Sequence, residues 1–345
     1  MSCTSPSLFM KRALDLACQA EGETSPNPLV GAVIVYQDKI IGEGYHHRAG
    51  QPHAEVNAFE SVAPEARKWI PLSTLYVTLE PCCHRGKTPP CTDRILKEGV
   101  KKVVVAMQDP FPQVGGKGIE KLRAAGVEVQ VGLLEKEARQ LNAMFLVNVL
   151  KRRPYITLKW AESKDGYIDA VRDSMQAAPT KFSSELRLRE THRLRHQHDA
   201  ILVGANTFQM DNPSLTNRYW SGKSPIRIVW DSRDSLFQEE SLRSKLFTES
   251  VAPVWLITAS PLQQKFPPFV HSFVLSRGTH FLQEFIDLLN EKGVKSLLVE
   301  GGAKVLQTFL SAHLYDAVER EIAPFMLFGG TPSPLSFCEE TPPQN

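Results

Sequence analysis

The chain has 345 residues, a length at which two cores are expected rather than one. Hydrophobic residues make up 42% and charged residues 23%, which excludes a disordered or fibrous protein and fits a globular one. Lys+Arg 40 against Asp+Glu 38 leaves a formal net charge of +2, which gives no bulk drive toward nucleic acid or an anionic membrane but allows a few local cations to hold a small phosphorylated ligand.

The first element expected is a helix over residues 6–21, with Leu8, Ala13, Leu16, Ala17 and Ala20 at helical spacing after a Ser5-Pro6 start. Lys11 and Arg12 lie inside the pattern and no long apolar core follows, so the segment is expected to be a soluble amphipathic helix rather than a signal peptide; nor does any run approach ~18 apolar residues, so no membrane span is expected. The runs 29–36 and 39–45, separated by Gln37-Asp38, read as a hairpin. Then come a helix 54–62, a strand 74–79, a loop rich in Pro, Gly and Cys over 81–90, a helix 91–98 and a strand 101–107. A helix 118–125, a strand 127–131 and a helix 135–150 complete a layered α/β domain over 1–150. The basic run at 150–154 interrupts the rhythm, and a second α/β series occupies 151–345. Its expected elements are a strand 155–161, a helix 184–197, strands 200–204, 225–231 and 254–258, a helix 281–291, a strand 296–300, a helix 303–312 and a strand 317–323.

Three of the six cysteines, Cys82, Cys83 and Cys91, fall within ten residues, as in a metal or catalytic site of a cytoplasmic enzyme rather than a secreted disulfide framework. His53 opens one helix with Glu55 two residues on, Cys82 follows a strand behind Pro81, and Cys91 opens another helix. A hydrolytic zinc needs three protein ligands and one open position for water, and His53, Cys82 and Cys91 supply them. Two ligands at helix N-termini also gain from the positive end of the dipole, which favours thiolate. Glu55 shares a helical turn with His53 but points elsewhere, which suits a proton shuttle rather than a ligand. Zinc nucleobase deaminases carry this logic as His-x-Glu followed by Pro-Cys-x-x-Cys, although here the cysteines are nine positions apart. Read singly, the same residues are a solvated helix start and buried thiols, and a structural zinc closed by Cys83 or His84 is open on paper. Their joint occurrence favours a catalytic metal.

Thr24–Gly31, residues 42–55, the long loop 78–93 and residues 107–129 resemble the bifunctional deaminase–reductases of riboflavin biosynthesis across the whole first domain. The resemblance implies a cytidine-deaminase-like three-layer α/β/α domain that removes ammonia from a diamino-ribosylamino-pyrimidinone 5′-phosphate. It places Asn27, His46, His84, Lys87 and Asp109 where that family holds the ring and ribose phosphate.

The second domain resembles the reductase half, with its dihydrofolate-reductase-like α/β fold, through Pro154–Lys159, Ser163–Gly166, Leu194-Arg195, Asp199–Gly204, Asp211–Thr216 and Val299–Gly302. The last of these is a strand, two glycines and a helix, where backbone N–H groups approach a pyrophosphate. By resemblance, Gly302, Ala303, Lys304, Val305, Leu306, Gln307 and Thr308 cradle NADPH, with Thr207, Asp211 and Ser232 nearby. Lys159, Arg195, Leu215, Arg218 and Glu300 fall at substrate positions, and two arginine forks suit a ribose phosphate. The choice of NADPH over NADH comes from the resemblance alone, as does an expected homo-oligomer, dimer or tetramer.

Two departures stand out. Residues 170–184 read AVRDSMQAAPTKFSS where the family has a Gly-Glu-Ser-Gln-Trp-Ile-Thr-like stretch, so the Trp expected beside the cofactor is absent. Ser174 or Ser183 is left as a stand-in for a substrate-contacting serine, and the family continues through a further strand after the IAPFMLFGG run. Competing readings are a deaminase whose reductase-like half is inactive and a nucleic-acid or nucleoside deaminase; the second would want a basic, aromatic face that the charge balance does not offer.

Overall fold

The computed structural model describes residues 5–84, 89–111, 115–172, 177–234, 236 and 244–337. The chain divides into two compact units, Met1–Arg152 and Arg153–Asn345. Among the described residues no helix is long and apolar enough to cross a membrane.

The first unit runs α1 (Pro6–Cys18), β1 (Gly31–Tyr36), β2 (Lys39–Tyr45), α2 (Ala54–Glu60), a 3-10 helix Pro64–Leu72, β3 (Thr74–Leu79), α3 (Cys91–Lys97), β4 (Lys102–Met107), α4 (Lys117–Ala124), β5 (Glu128–Val131), α5 (Glu135–Leu141) and α6 (Ala143–Lys151). Its five strands are ordered β2-β1-β3-β4-β5, with β3, β4 and β5 parallel and β1 antiparallel to both neighbours. The expected hairpin closes through Gln37 and Asp38, both at positive φ, the backbone that a tight two-residue connection needs. Successive residues of β1 face opposite ways: Ala32 and Ile34 pack with Ala58, Phe59 and Ile95, while Val33 and Val35 pack with Phe9, Met10 and Tyr76. Both sheet faces are therefore covered by helices, which is why the strands read as nearly unbroken apolar runs.

The expected helix 135–150 is two helices. Asn142 separates them, 2% exposed, and its side chain accepts from Leu29 N–H at 2.8 Å and donates to Leu29 C=O at 2.9 Å. A side chain that satisfies the backbone of the segment leading into β1 competes with the helix ladder at its own position.

The second unit runs β6 (Tyr155–Glu162), β7 (Tyr167–Asp169), α7 (Glu185–Gln197), β8 (Ala200–Gly204), α8 (Ala205–Asp211), β9 (Ile226–Asp231), α9 (Lys245–Thr248), β10 (Val254–Thr258), β11 (Val270–Val274), α10 (Phe281–Glu291), β12 (Ser296–Val299), α11 (Ala303–Ser311), β13 (Ala317–Ile322) and β14 (Thr331–Pro332). Seven strands form one all-parallel sheet, β11-β10-β9-β8-β12-β6-β13, and β14 pairs with β7 apart from it. On one face Ile156, Leu158, Trp160, Leu202, Trp230 and Phe285 pack together; on the other Ile201, Val203, Val229, Leu256 and Leu298 do. In parallel sheets of this kind ligands bind beyond the carboxyl ends of the strands. There lie Glu300 after β12, Ala205–Asp211 after β8 and Ser232 after β9.

Candidate active sites

In the first unit the register Leu79↔Met107 brings the ends of β3 and β4 side by side, so the loops carrying Cys82 and Asp109 leave the sheet together. His53 sits at the N-cap of α2 and Cys91 is the first residue of α3. One ligand atom each from His53, Cys82 and Cys91 lies within 4.8 Å of the others. His53 Nδ1 is 3.5 Å from Cys82 Sγ and 3.3 Å from Cys91 Sγ, and the Cys91 amide donates to Cys82 Sγ at 3.3 Å. One imidazole nitrogen and two sulfurs at this separation are a tetrahedral zinc donor set with a fourth position left over. The fit lies in the donors themselves.

The hydrogen bond from Cys91, with help from His53, draws the Cys82 thiol down to about 4, and the same contact together with burial pushes Cys91 up. His53 is raised by its contact with Cys82. Glu55, 3% exposed, is pushed up to about 7 by burial first and then by the Cys82 charge. A buried carboxyl pushed up to about 7 can both take and give a proton near neutral pH.

Asn27 and His46 form the adjoining wall. His46 Nδ1 lies 3.1 Å from the Pro52 carbonyl, so that nitrogen carries the proton and Nε2 accepts from Asn27 Nδ2 at 3.0 Å. Burial lowers the His46 pKa, and its ring stands edge-on to His53 at 5.5 Å between centroids. Asp109 is half-buried, its pKa raised by burial against the pull of the Phe111 amide. His84 is exposed, and Lys87 falls outside the described residues.

The sequence reading passed over Glu80, which follows β3 and is 6% exposed. Its Oε2 accepts from the amides of Asp109 (3.1 Å) and Gly116 (2.8 Å), and its Oε1 from those of Gly118 (2.8 Å) and Ile119 (3.2 Å). One carboxylate thereby ties the Asp109 loop to the start of α4. The only sequence signal is an acid closing an otherwise apolar strand.

In the second unit Arg195 grips Glu300 with two parallel bonds, Nε to Oε1 at 2.8 Å and Nη2 to Oε2 at 2.7 Å, and reaches the Thr216 carbonyl at 3.0 Å. Burial pushes Glu300 up, but Arg195, and after it Lys159, hold it below the ordinary carboxylate range. Lys159 stands next to Leu158, which pairs with Val299, one residue before Glu300. Arg218 is exposed; its amide donates to His192 Nδ1 at 2.9 Å and its guanidinium to Thr216 Oγ1 at 3.0 Å. Leu215 is 2% exposed with its side chain in the core, and at φ 54° it offers a ligand its backbone rather than its side chain.

Gly302 precedes α11 at φ 70°, and a Cβ there would lie 2.8 Å from Thr207 Oγ1; at Gly301 a Cβ would lie 2.6 Å from Val203 Cα. Strand, helix start and α8 approach so closely that a side chain at either glycine would clash, so backbone alone lines this strand-to-helix turn. Of the stretch 302–308, Gly302, Ala303, Lys304 and Val305 form the opening turn. Leu306 instead points into the core, Thr308 Oγ1 bonds back to Lys304 C=O, and Gln307 bonds Ser311 on the helix itself. Ser232 is exposed in the turn after β9. Ser183 donates to Glu321 at 2.6 Å, while Ser174 lies outside the described residues.

Comparison with known proteins bears on both units. Residues 4–107 match the family described as cytidine and deoxycytidylate deaminase zinc-binding region, and residues 154–344 match the RibD C-terminal domain. The riboflavin biosynthesis protein RibD of Aquifex aeolicus is 42% identical over 325 residues, covering 93% of this chain and 88% of that protein. Its Escherichia coli counterpart is 37% identical over 336 residues, covering 92% and 88%. A solved structure from Thermotoga maritima, a diaminohydroxyphosphoribosylaminopyrimidine deaminase/5-amino-6-(5-phosphoribosylamino)uracil reductase, is 38% identical with a TM-score of 0.84 and covers 96% of this chain and 90% of that one. With a deaminase-type zinc donor set in one unit and a glycine-lined cradle in the other, the chain belongs to the RibD family, the bifunctional deaminase–reductases of riboflavin biosynthesis.

Proposed function

We propose that the first unit hydrolyses the 2-amino group of 2,5-diamino-6-ribosylamino-4(3H)-pyrimidinone 5′-phosphate and that the second reduces the ribosyl chain of the product. The reading is carried by one observation: three metal-ligand atoms converge within 4.8 Å beside a buried carboxylic acid, Glu55. His53, Cys82 and Cys91 would hold zinc, which when bound acidifies water for hydrolysis. In the reaction a water oxygen bonds to ring carbon 2, the C–N bond breaks and ammonia leaves. Glu55 takes the proton from the water and returns it to the departing nitrogen. Asn27, His46, His84, Lys87 and Asp109 are assigned to the ring and its ribose phosphate; the bond from Asn27 to neutral His46 supports a polar wall that keeps its orientation in this role.

In the second unit Arg195, Arg218, Lys159, Glu300 and the Leu215 backbone are assigned to the phosphorylated product. Thr207, Asp211, Ser232 and the turn opening at Gly302 are assigned to NADPH, which supplies the hydride. Hydride arrives at the ribosyl C1′, the bond from C1′ to the ring oxygen breaks, and that oxygen takes a proton. The Arg195–Glu300 pair leaves Arg218, exposed and held by Thr216, His192 and the Tyr219 ring but paired with no carboxylate among the described residues, as the cation best placed for the phosphate. The enzyme is assigned to the cytoplasm as a homo-oligomer, dimer or tetramer.

The Glu55→Gln variant tests the deaminase half. Zinc content is expected to stay at one per chain while ammonia release falls by about 10²–10⁴-fold, the usual worth of a general acid–base. Ammonia release within a few-fold of the unaltered protein would sink the assignment.

A further inference from the structure

Arg172 belongs to the stretch in which the chain departs from the family pattern, yet it is not a surface residue: its side chain is 8% exposed. Nη2 lies 2.5 Å from Asp169 Oδ2, Nη1 lies 2.7 Å from Asp211 Oδ1, and Nη1 also donates to the Met210 carbonyl at 3.2 Å. The Asp211 contact is an ion pair rather than an aligned hydrogen bond. Asp169 has its other oxygen occupied, accepting from the Thr180 amide (3.0 Å), the Thr180 hydroxyl (2.8 Å) and the Ala170 amide (3.1 Å). Asp211 has no such second set, and among the described residues Arg172 is its sole ionic partner.

The position of Asp211 gives that open oxygen a meaning. Asp211 closes α8 one turn after Thr207, so the two side chains share a helix face. Thr207 Oγ1 in turn lies 2.8 Å from the place a Cβ on Gly302 would take. The face of α8 that carries Asp211 is therefore the face turned toward the start of α11. Two carboxylates against one guanidinium leave the cluster anionic, and without Arg172 both would stand unneutralised beside a polyanionic dinucleotide.

We propose that Arg172 is a positioning residue of the reductase half: it clamps one oxygen of Asp211 so that the other is presented to a ribose hydroxyl of the bound dinucleotide, and it ties Asp169, with Thr180 bonded to it, to the same wall. Carboxylates at dinucleotide sites commonly accept from ribose hydroxyls, and in NADPH the nicotinamide ribose keeps both of its own. The proposal rests on the reading of Gly302 and its turn as the dinucleotide cradle. Arg172 acts through Asp211 and touches neither the hydride nor its acceptor.

The test uses the full zinc-loaded chain and NADPH itself. For Arg172→Gln, the Kd for NADPH by fluorescence titration and the KM for NADPH are expected to rise about tenfold or more, the size of a lost charged contact. The kcat on already deaminated substrate and the KM for that substrate should stay within about threefold, and Arg172→Lys should recover part of the NADPH affinity because it keeps the charge. A merely structural arginine would lower kcat and both affinities together, and lysine would not restore one of them selectively. That pattern, or an NADPH Kd within twofold of the unaltered protein, overturns the proposal. An unaltered protein that binds no NADPH overturns the reductase reading along with it, whereas binding by both proteins alike removes the proposal alone.

Discussion

Histidines in the two units show how neighbours set the charge of one side chain type. His46 and His192 are both buried, and both are lowered chiefly by that burial. His192 goes furthest, to about 4, because Arg195 and Arg218 add their charges against Glu300. Its Nδ1 accepts the Arg218 amide, so the neutral ring is part of what holds the exposed arginine loop. An unfolded chain would protonate this histidine near pH 6.5, well before the folded one does. The stability it contributes is therefore fully present above pH 6.5 and is lost as pH falls toward 4. Four of the five tryptophans, Trp160, Trp220, Trp230 and Trp255, lie in the second unit, so their fluorescence follows its unfolding. Melting followed this way should decline more steeply between pH 6.5 and 4 in the unaltered protein than in His192→Gln; equal slopes would contradict the assignment. At this scale the ligand set and Glu55 were legible because helix starts and a strand end fix them locally. Glu80, His192 and Arg172 were not, because each acquires its role from contacts dozens of residues away in sequence, or, for Arg172, within a stretch that matches no motif.

Most long elements follow from periodicity, and the departures have specific causes. Asn142 breaks a helix because Leu29, 113 residues away, offers its backbone on both sides of the amide. Nothing in a local window signals that. Asn142→Ala would leave the Leu29 N–H and C=O unpaired in a half-buried place, at a cost of about 1 kcal/mol. Chemical denaturation of the first unit, followed by circular dichroism, should show that loss, and an unchanged midpoint would contradict it. The strand β11 was missed because it is a sheet edge with mixed exposure, and β7 and β14 because they are too short to carry a pattern. The helix α8 was missed for a related reason. Seven residues between a buried strand and a left-handed Asn212 leave it no amphipathic period, although it carries Thr207 and Asp211.

Across the whole chain, two units each keep their own sheet and their own buried clusters, so each active site has a scaffold that does not depend on the other's chemistry. The division was legible from the change of rhythm near residue 150; the order of seven parallel strands was not, since pairing between distant strands leaves no mark in a single sequence. Two activities on two scaffolds make a separable expectation, which a single assay reads. Ammonia and NADPH are followed in one tube, with the diamino substrate given to untreated protein and to protein stripped of metal by a chelator, and the already deaminated substrate given to a second sample of the stripped protein. Untreated protein should release one ammonia for each NADPH oxidised. Stripped protein should release none from the diamino compound yet still oxidise NADPH with the deaminated one. Ammonia release that survives metal removal, or that proceeds with no NADPH consumed, would contradict the account.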